Sequence, residues 1–185
     1  MKKLINLYKE ESNNALLSIP TEDIEKFVES IIEAYKNEKK IFACGNGGNV
    51  ASVQNLVLDL NMHPFVSEDK SGRQGNRNNF HAVSLCDSGA TITGITNDLG
   101  FDYIFSEQLK YQASEGDILF AMSGSGNSSN VIEALKVAKD LKLICIVMTR
   151  NKNTKSDVYA DLMLRINTEA STFPGQTGGN NNNFH

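Results

Sequence analysis

The chain has 185 residues, 40% of them hydrophobic and 22% charged, which suits a single globular domain with a core of its own. A net charge of −4 without any long basic run excludes an electrostatic footprint for nucleic acid, and no apolar run is long enough to span a membrane. Small molecules and other proteins are the partners left to expect.

The basic start, Met1-Lys2-Lys3, resembles that of a signal peptide, but charges return after Tyr8 before an apolar region can form. Residues 4–17 and 21–38 read as two helices; Pro20-Thr21-Glu22-Asp23 opens the second, and Ile24, Phe27, Val28, Ile31, Ile32 and Tyr35 give it a broad apolar stripe. Short β-type runs follow at 41–44, 82–86, 118–122 and 143–148, with a weaker one at 162–166, and helical stretches lie near 49–61, 101–114 and 129–141. Strands apolar on both faces and interleaved with helices predict a three-layer α/β/α sandwich around a parallel sheet. The N-terminal pair has little role inside such a sandwich, and its stripe predicts a homo-oligomer. The three cysteines, Cys44, Cys86 and Cys145, each fall in a predicted core strand; odd number and wide spacing read as reduced structural thiols in the cytoplasm. The polar stretch 67–79 reads as a surface loop or as a lid whose arginines meet a phosphate, and the asparagine-rich tail 167–185 as structureless.

Two turns join predicted strands to predicted helices. Met122-Ser-Gly-Ser-Gly-Asn-Ser-Ser129 offers hydroxyls, small residues and the free amides of a helix start, with no lysine or arginine. It suits the single phosphate of a sugar better than a nucleotide polyphosphate. Gly45-Asn-Gly-Gly-Asn49 has the same layout; it lacks the Gly-Lys-Ser/Thr of a P-loop, and Val50 replaces the third glycine of a dinucleotide fingerprint. Both turns lie at the carboxyl edge of the sheet, where open α/β sheets bind ligands. Asp87, after the 82–86 run, and Asn97-Asp98 add carboxylate and amide groups for sugar hydroxyls.

In this order, Cys44-Gly-Asn-Gly-Gly48, Ser84-Leu-Cys-Asp87, Gly94-Ile-Thr-Asn-Asp-Leu-Gly-Phe101, Phe105-Ser-Glu-Gln-Leu109 and Gly116-Asp-Ile-Leu through Ser-Gly-Asn-Ser128 resemble the sugar isomerase (SIS) domain family of phosphosugar-binding proteins, and within it the phosphoheptose isomerases. The resemblance implies one SIS domain over 1–166 with a five-stranded parallel, flavodoxin-like sheet, and a homotetramer. By the same resemblance Asn46, Gly47, Gly48, Asn97 and Asp98 line the sugar, and Ser123, Ser125 and Ser128 hold its phosphate; Gly124 stands where the family usually has threonine. The family's zinc-binding histidine and glutamate, on the helix after the first glycine turn, are here Asn55 and Asp59, a poor zinc site. Asn55 is then a substrate contact and no metal ligand is assigned. A basic residue that follows in the family is here His63. The family's C-terminal helix, with its glutamine and catalytic histidine, has no counterpart before His185, so either the tail is incomplete or the chemistry has moved.

Interconverting a ketose and an aldose phosphate requires a base to carry a proton between adjacent carbons through an enediol, and an acid to stabilise the oxyanion. Asp59 is the candidate base and His63 the candidate acid. The expected substrate is sedoheptulose 7-phosphate, for heptose and surface polysaccharide synthesis. The alternative is a phosphosugar-binding assembly or regulatory protein with the same fold and no reaction.

Overall fold

The computed structural model describes residues 1–73, 79–150 and 152–166. The 167–185 tail, with His185, and loop residues 74–78 lie outside the described residues.

Helices α1 (Lys2–Leu17) and α2 (Thr21–Lys36) come first, separated at Pro20, whose fixed φ suits the entry to α2. Glu22 and Asp23 in the first turn of α2 and Lys36 in its last complement the helix dipole. The order is then β1 (Lys40–Gly45), α3 (Gly48–Met62), β2 (His81–Ser84), α4 (Gly89–Asp98), α5 (Ser106–Gln112), β3 (Ile118–Met122), α6 (Ser129–Asp140), β4 (Ile144–Thr149) and β5 (Leu162–Arg165). All five strands are parallel, in the order β2-β1-β3-β4-β5. This is the three-layer, flavodoxin-like sandwich that the resemblance implies.

Side-chain alternation along each strand builds two cores. Ile41, Ala43, Ile118, Phe120 and Ile146 face α2 and α3, meeting Ile31, Ala34 and Val53; the Phe27 ring of α2 lies 5.5 Å from that of Phe120. Phe42, Cys44, Leu119, Ala121, Cys145 and Val147 face α5 and α6, meeting Leu109, Val131 and Leu135. Both faces of the sheet are therefore dry, which is why the strands read as continuous apolar runs.

Three expectations change in detail. The 82–86 run forms a strand only over His81–Ser84, and Leu85 continues it with one bond, donating to Ala43 O at 2.9 Å. The 101–114 stretch divides into a 3-10 turn, Phe101–Tyr103, and α5. Helix α4 is an addition: Gly89, Gly94 and its threonines have low helix propensity, but Ser88 caps it by accepting from Thr91 N at 3.1 Å, and Ile92 and Ile95 pack on the core.

The entry edge of the sheet is held by Asp117, 3% exposed, which accepts from Lys40 N (2.9 Å) and Ser114 N (2.8 Å). Asp117→Ala strands both amides and is expected to cost about 2 kcal/mol in urea unfolding, with turnover per folded molecule unchanged, because the candidate site lies at the other edge. A stability loss below about 0.5 kcal/mol would contradict this role.

Burial raises the pKa of all three cysteines, that of Cys145 to about 12, and keeps them as thiols near neutral pH. Among the described residues no helix is long and apolar enough to cross a membrane. Helix α1 has no buried residue, and Ile24 and Val28 of α2 with Leu58 and Met62 of α3 are exposed.

Candidate functional site

The chain leaves β1 for α3 on one face of the sheet and leaves β3 for α6 on the other. Neighbouring strands that part in this way open a crevice at their carboxyl ends, the switch point of a doubly wound sheet. Gly45 ends β1 there. A Cβ on it would lie 2.8 Å from Asn49 Cβ and 3.2 Å from Met122 O, so only glycine allows α3 and β3 to approach so closely. Gly47, at φ +55°, turns the chain into α3, which starts at Gly48. Between them the Asn46 carboxamide pairs with that of Asn130 on α6, 2.8 Å in each direction, so the two turns are tied across the crevice.

The serine turn follows β3. Ser123, 3% exposed, places its Oγ 3.2 Å from Ser128 Oγ and accepts from Gly126 N at the same distance. Ser125 Oγ accepts from Asn127 N at 3.2 Å. Gly126 has φ +66° and rests on Thr154, with its carbonyl accepting from Ser156 N at 3.1 Å. Ser128 is the N-cap of α6 yet makes no side-chain cap bond, so the turn, which has no basic residue of its own, gathers serine hydroxyls beside helix-start amides. Ser129 Oγ donates to the Asp102 carboxylate.

Of the other predicted residues, Asp87 accepts from Gln54 Nε2 at 2.9 Å, linking the end of β2 to α3. Asn97 and Asp98 end α4, exposed and bonded to each other at 2.9 Å, four residues before the Asp102 that meets Ser129. Asn55, Asp59 and His63 form a row along α3: Asn55 Nδ2 donates to Asp59 Oδ2 at 2.9 Å, and His63 Nδ1 lies 3.0 Å from Asp59 Oδ1. This row is not at the switch point of its own chain. Asp59 stands about 16 Å along α3 from Gly48. Two residues further on, Asn61 bonds Ala82 N and O at the entry end of β2. The fold thus gathers Asn46, Gly47, Gly48, Ser123, Ser125 and Ser128 at one edge and carries Asp59 and His63 toward the other.

The described part of the 67–79 stretch is a closed turn. Ser67 N donates to Gly72 O at 2.9 Å, and the Arg73 guanidinium lies over the Phe65 ring, 5.6 Å from its centre. Hydrogen bonds led by Ser71 N–H hold the Asp69 carboxyl at a pKa of about 2.

Sequence reasoning missed Asn130, Gln54 and Thr154. Of these only Asn130 carries a signal in the sequence, a carboxamide one turn before Ala134 on the apolar face of α6.

Fold and switch point together define an open, doubly wound α/β protein with a turn of serine hydroxyls and helix-start amides at the carboxyl edge of its sheet. The SIS domain pattern matches residues 8–150, and the chain belongs to the SIS domain family. It is 37% identical over 145 residues to the phosphoheptose isomerase of Aliarcobacter butzleri, covering 78% of this chain and 72% of that one. Solved phosphoheptose isomerases from Neisseria gonorrhoeae (TM-score 0.73, 28% identity) and Francisella tularensis (TM-score 0.74, 25% identity) each match 92% of this chain and 83% of their own.

Proposed function

We propose that the protein is an aldose–ketose isomerase that converts sedoheptulose 7-phosphate to glycero-manno-heptose 7-phosphate, in the cytoplasm, for heptose synthesis. One observation carries the reading: a serine turn fit for a single phosphate faces an amide-lined glycine turn across one crevice, in a chain 37% identical to a phosphoheptose isomerase. The phosphate lies on Ser123, Ser125, Ser128 and the first amides of α6. Asn46, Gly47, Gly48, Asn55, Asp87, Asn97 and Asp98 are assigned to the sugar.

Asp59 removes a proton from C1 of the ketose, and the C2 oxygen takes up a proton, giving the enediol. Return of a proton to C2 and loss of the O1 proton then yield the aldehyde. His63, bonded to Asp59, serves as the acid at the oxygens. The donor set does not fit the zinc that the family resemblance implies. Asn55 offers a carboxamide already bonded to Asp59, and among the described residues no group of three or more His, Cys, Asp or Glu could hold a metal ion. No step of this reading runs through a metal.

Because Asp59 lies far along α3 from the serine turn of its own chain, this reading places the site between copies, base from one and phosphate turn from another. The exposed apolar residues of α2 and α3 lie on the same side of the sheet as Asp59 and supply the contact, in a homotetramer. Ile24→Glu with Val28→Glu is expected to shift the 20.3 kDa chain toward monomer in sedimentation velocity and to remove activity together with assembly. A fully active monomer would sink the shared site.

The test of the function is proton NMR of sedoheptulose 7-phosphate in D2O with the protein. Loss of the C1 proton signals and growth of an aldose are expected. Saturable sugar binding without exchange would instead identify the phosphosugar-binding protein.

A further inference from the structure

Asn130, the second residue of α6, is wholly buried beside Val131 and Ala134. A carboxamide in such surroundings is costly unless its N–H and C=O groups are met. Asn46 meets both: each Nδ2 donates to the other's Oδ1 at 2.8 Å. Reversing either amide alone would set N–H against N–H and oxygen against oxygen, so the two amides are locked to each other in one plane. A carboxamide has two N–H groups and an oxygen with two lone pairs, and the pair uses one N–H and one lone pair on each side. Asn46 is half-buried at the crevice, so its second N–H and second lone pair are presented in a fixed plane. The close approach that permits this depends on Gly45, and Asn49 Nδ2 adds a second tie to Met122 O at 3.4 Å.

We infer that Asn130 is a positioning residue. It holds the Asn46 carboxamide in the plane from which its second N–H and second lone pair meet the hydroxyl and carbonyl groups of a sugar whose phosphate lies on the serine turn. This rests on the isomerase reading. Asn130 makes no contact with substrate and acts through Asn46.

The experiment measures kcat and KM for sedoheptulose 7-phosphate with the full chain. It compares the wild type, Asn130→Leu, Asn46→Ala and the double variant, with inorganic phosphate as a competitive probe of the serine turn. Leucine keeps the volume and leaves Asn46 to turn freely. The expected result is a loss in kcat on the order of a hundredfold for Asn130→Leu, with little change in the inhibition constant of phosphate. In the Asn46→Ala background the same change should cost less than about twofold more. Asn130→Asp keeps the acceptor for Asn46 Nδ2 but turns an anionic oxygen on its Oδ1. Its kcat relative to wild type should recover as pH falls, because the protonated carboxyl restores the donor. Should Asn130→Leu fail to fold, this pH profile decides the matter alone. Losses that multiply in the double variant, phosphate affinity falling in step with kcat, or a flat relative pH profile would each overturn the inference. A wild type that does not isomerise overturns the isomerase reading and this one together, whereas an active wild type with multiplying losses overturns only this one.

Discussion

Sedoheptulose 7-phosphate incubated in D2O with the Asp59→Asn variant is expected to keep its C1 protons, whereas the wild type exchanges them. The substitution keeps the shape of the side chain and its acceptor for Asn55 Nδ2, and it removes the charge proposed to take the proton. A positioned base contributes about 10²- to 10⁴-fold, and exchange should fall by that factor. Asp59 is partly exposed at the surface of α3, so unfolding is not expected to contribute, and phosphate inhibition should be unchanged because the proposed base acts at C1, the opposite end of the sugar from its 7-phosphate. His63→Gln should lower kcat less than Asp59→Asn does, since exchange at C1 needs the base before the acid. Full exchange by Asp59→Asn would remove Asp59 from the mechanism and point to a base elsewhere.

Gly126→Ala is expected to destabilise the protein by about 3 kcal/mol and to weaken phosphate binding. Two costs combine. At φ +66° an alanine sits in the left-handed region, about 1–2 kcal/mol above its preferred conformations. Its Cβ would also lie 2.5 Å from Thr154 Oγ1 and 2.6 Å from Thr154 Cβ, which adds an overpacking cost of about 1–3 kcal/mol unless the turn moves. Movement lowers the strain and displaces Ser123 Oγ, which accepts from the same residue's amide, so stability and phosphate affinity trade against each other. Adding Thr154→Ala should recover only part of the loss, because the Cβ contact and the backbone strain remain. Gly94→Ala is the control: nothing lies within 4 Å of its added Cβ, and as a helical position it should gain roughly 0.5–1 kcal/mol. Urea unfolding with inorganic phosphate titration reads both effects, and a Gly126→Ala variant as stable and as phosphate-binding as wild type would refute the argument.

The sheet was legible because its strands are buried on both faces; Ile41 to Cys44 and Ile118 to Ala121 need no partner in sequence to be recognised as core. The two turns were legible for a related reason, since glycine and serine between an apolar run and an amphipathic helix have few structural uses other than close approach. Helix α4 was hidden because its stability comes from a serine cap and two isoleucines on the core rather than from propensity. The Asn46–Asn130 pair, 84 residues apart, was hidden because periodicity does not report which turns meet. The distance of Asp59 from the serine turn follows from helix rise and the direction of α3, so it could be read only once Asn61 was seen against the start of β2.

That distance has a genetic consequence. If base and phosphate turn come from different copies, as proposed, a gene carrying a defect at Asp59 and another carrying one at Ser123 would each encode an inactive protein, yet a cell expressing both would assemble some sites with two intact halves. Against wild type the same arrangement leaves either allele simply additive, since a defective chain spoils only the site to which it brings the lesion and lends an intact half to its neighbour's. Selection on such a protein therefore acts on the mixture of chains a cell makes at once, and a lesion at one end of α3 is inherited together with the state of its neighbours.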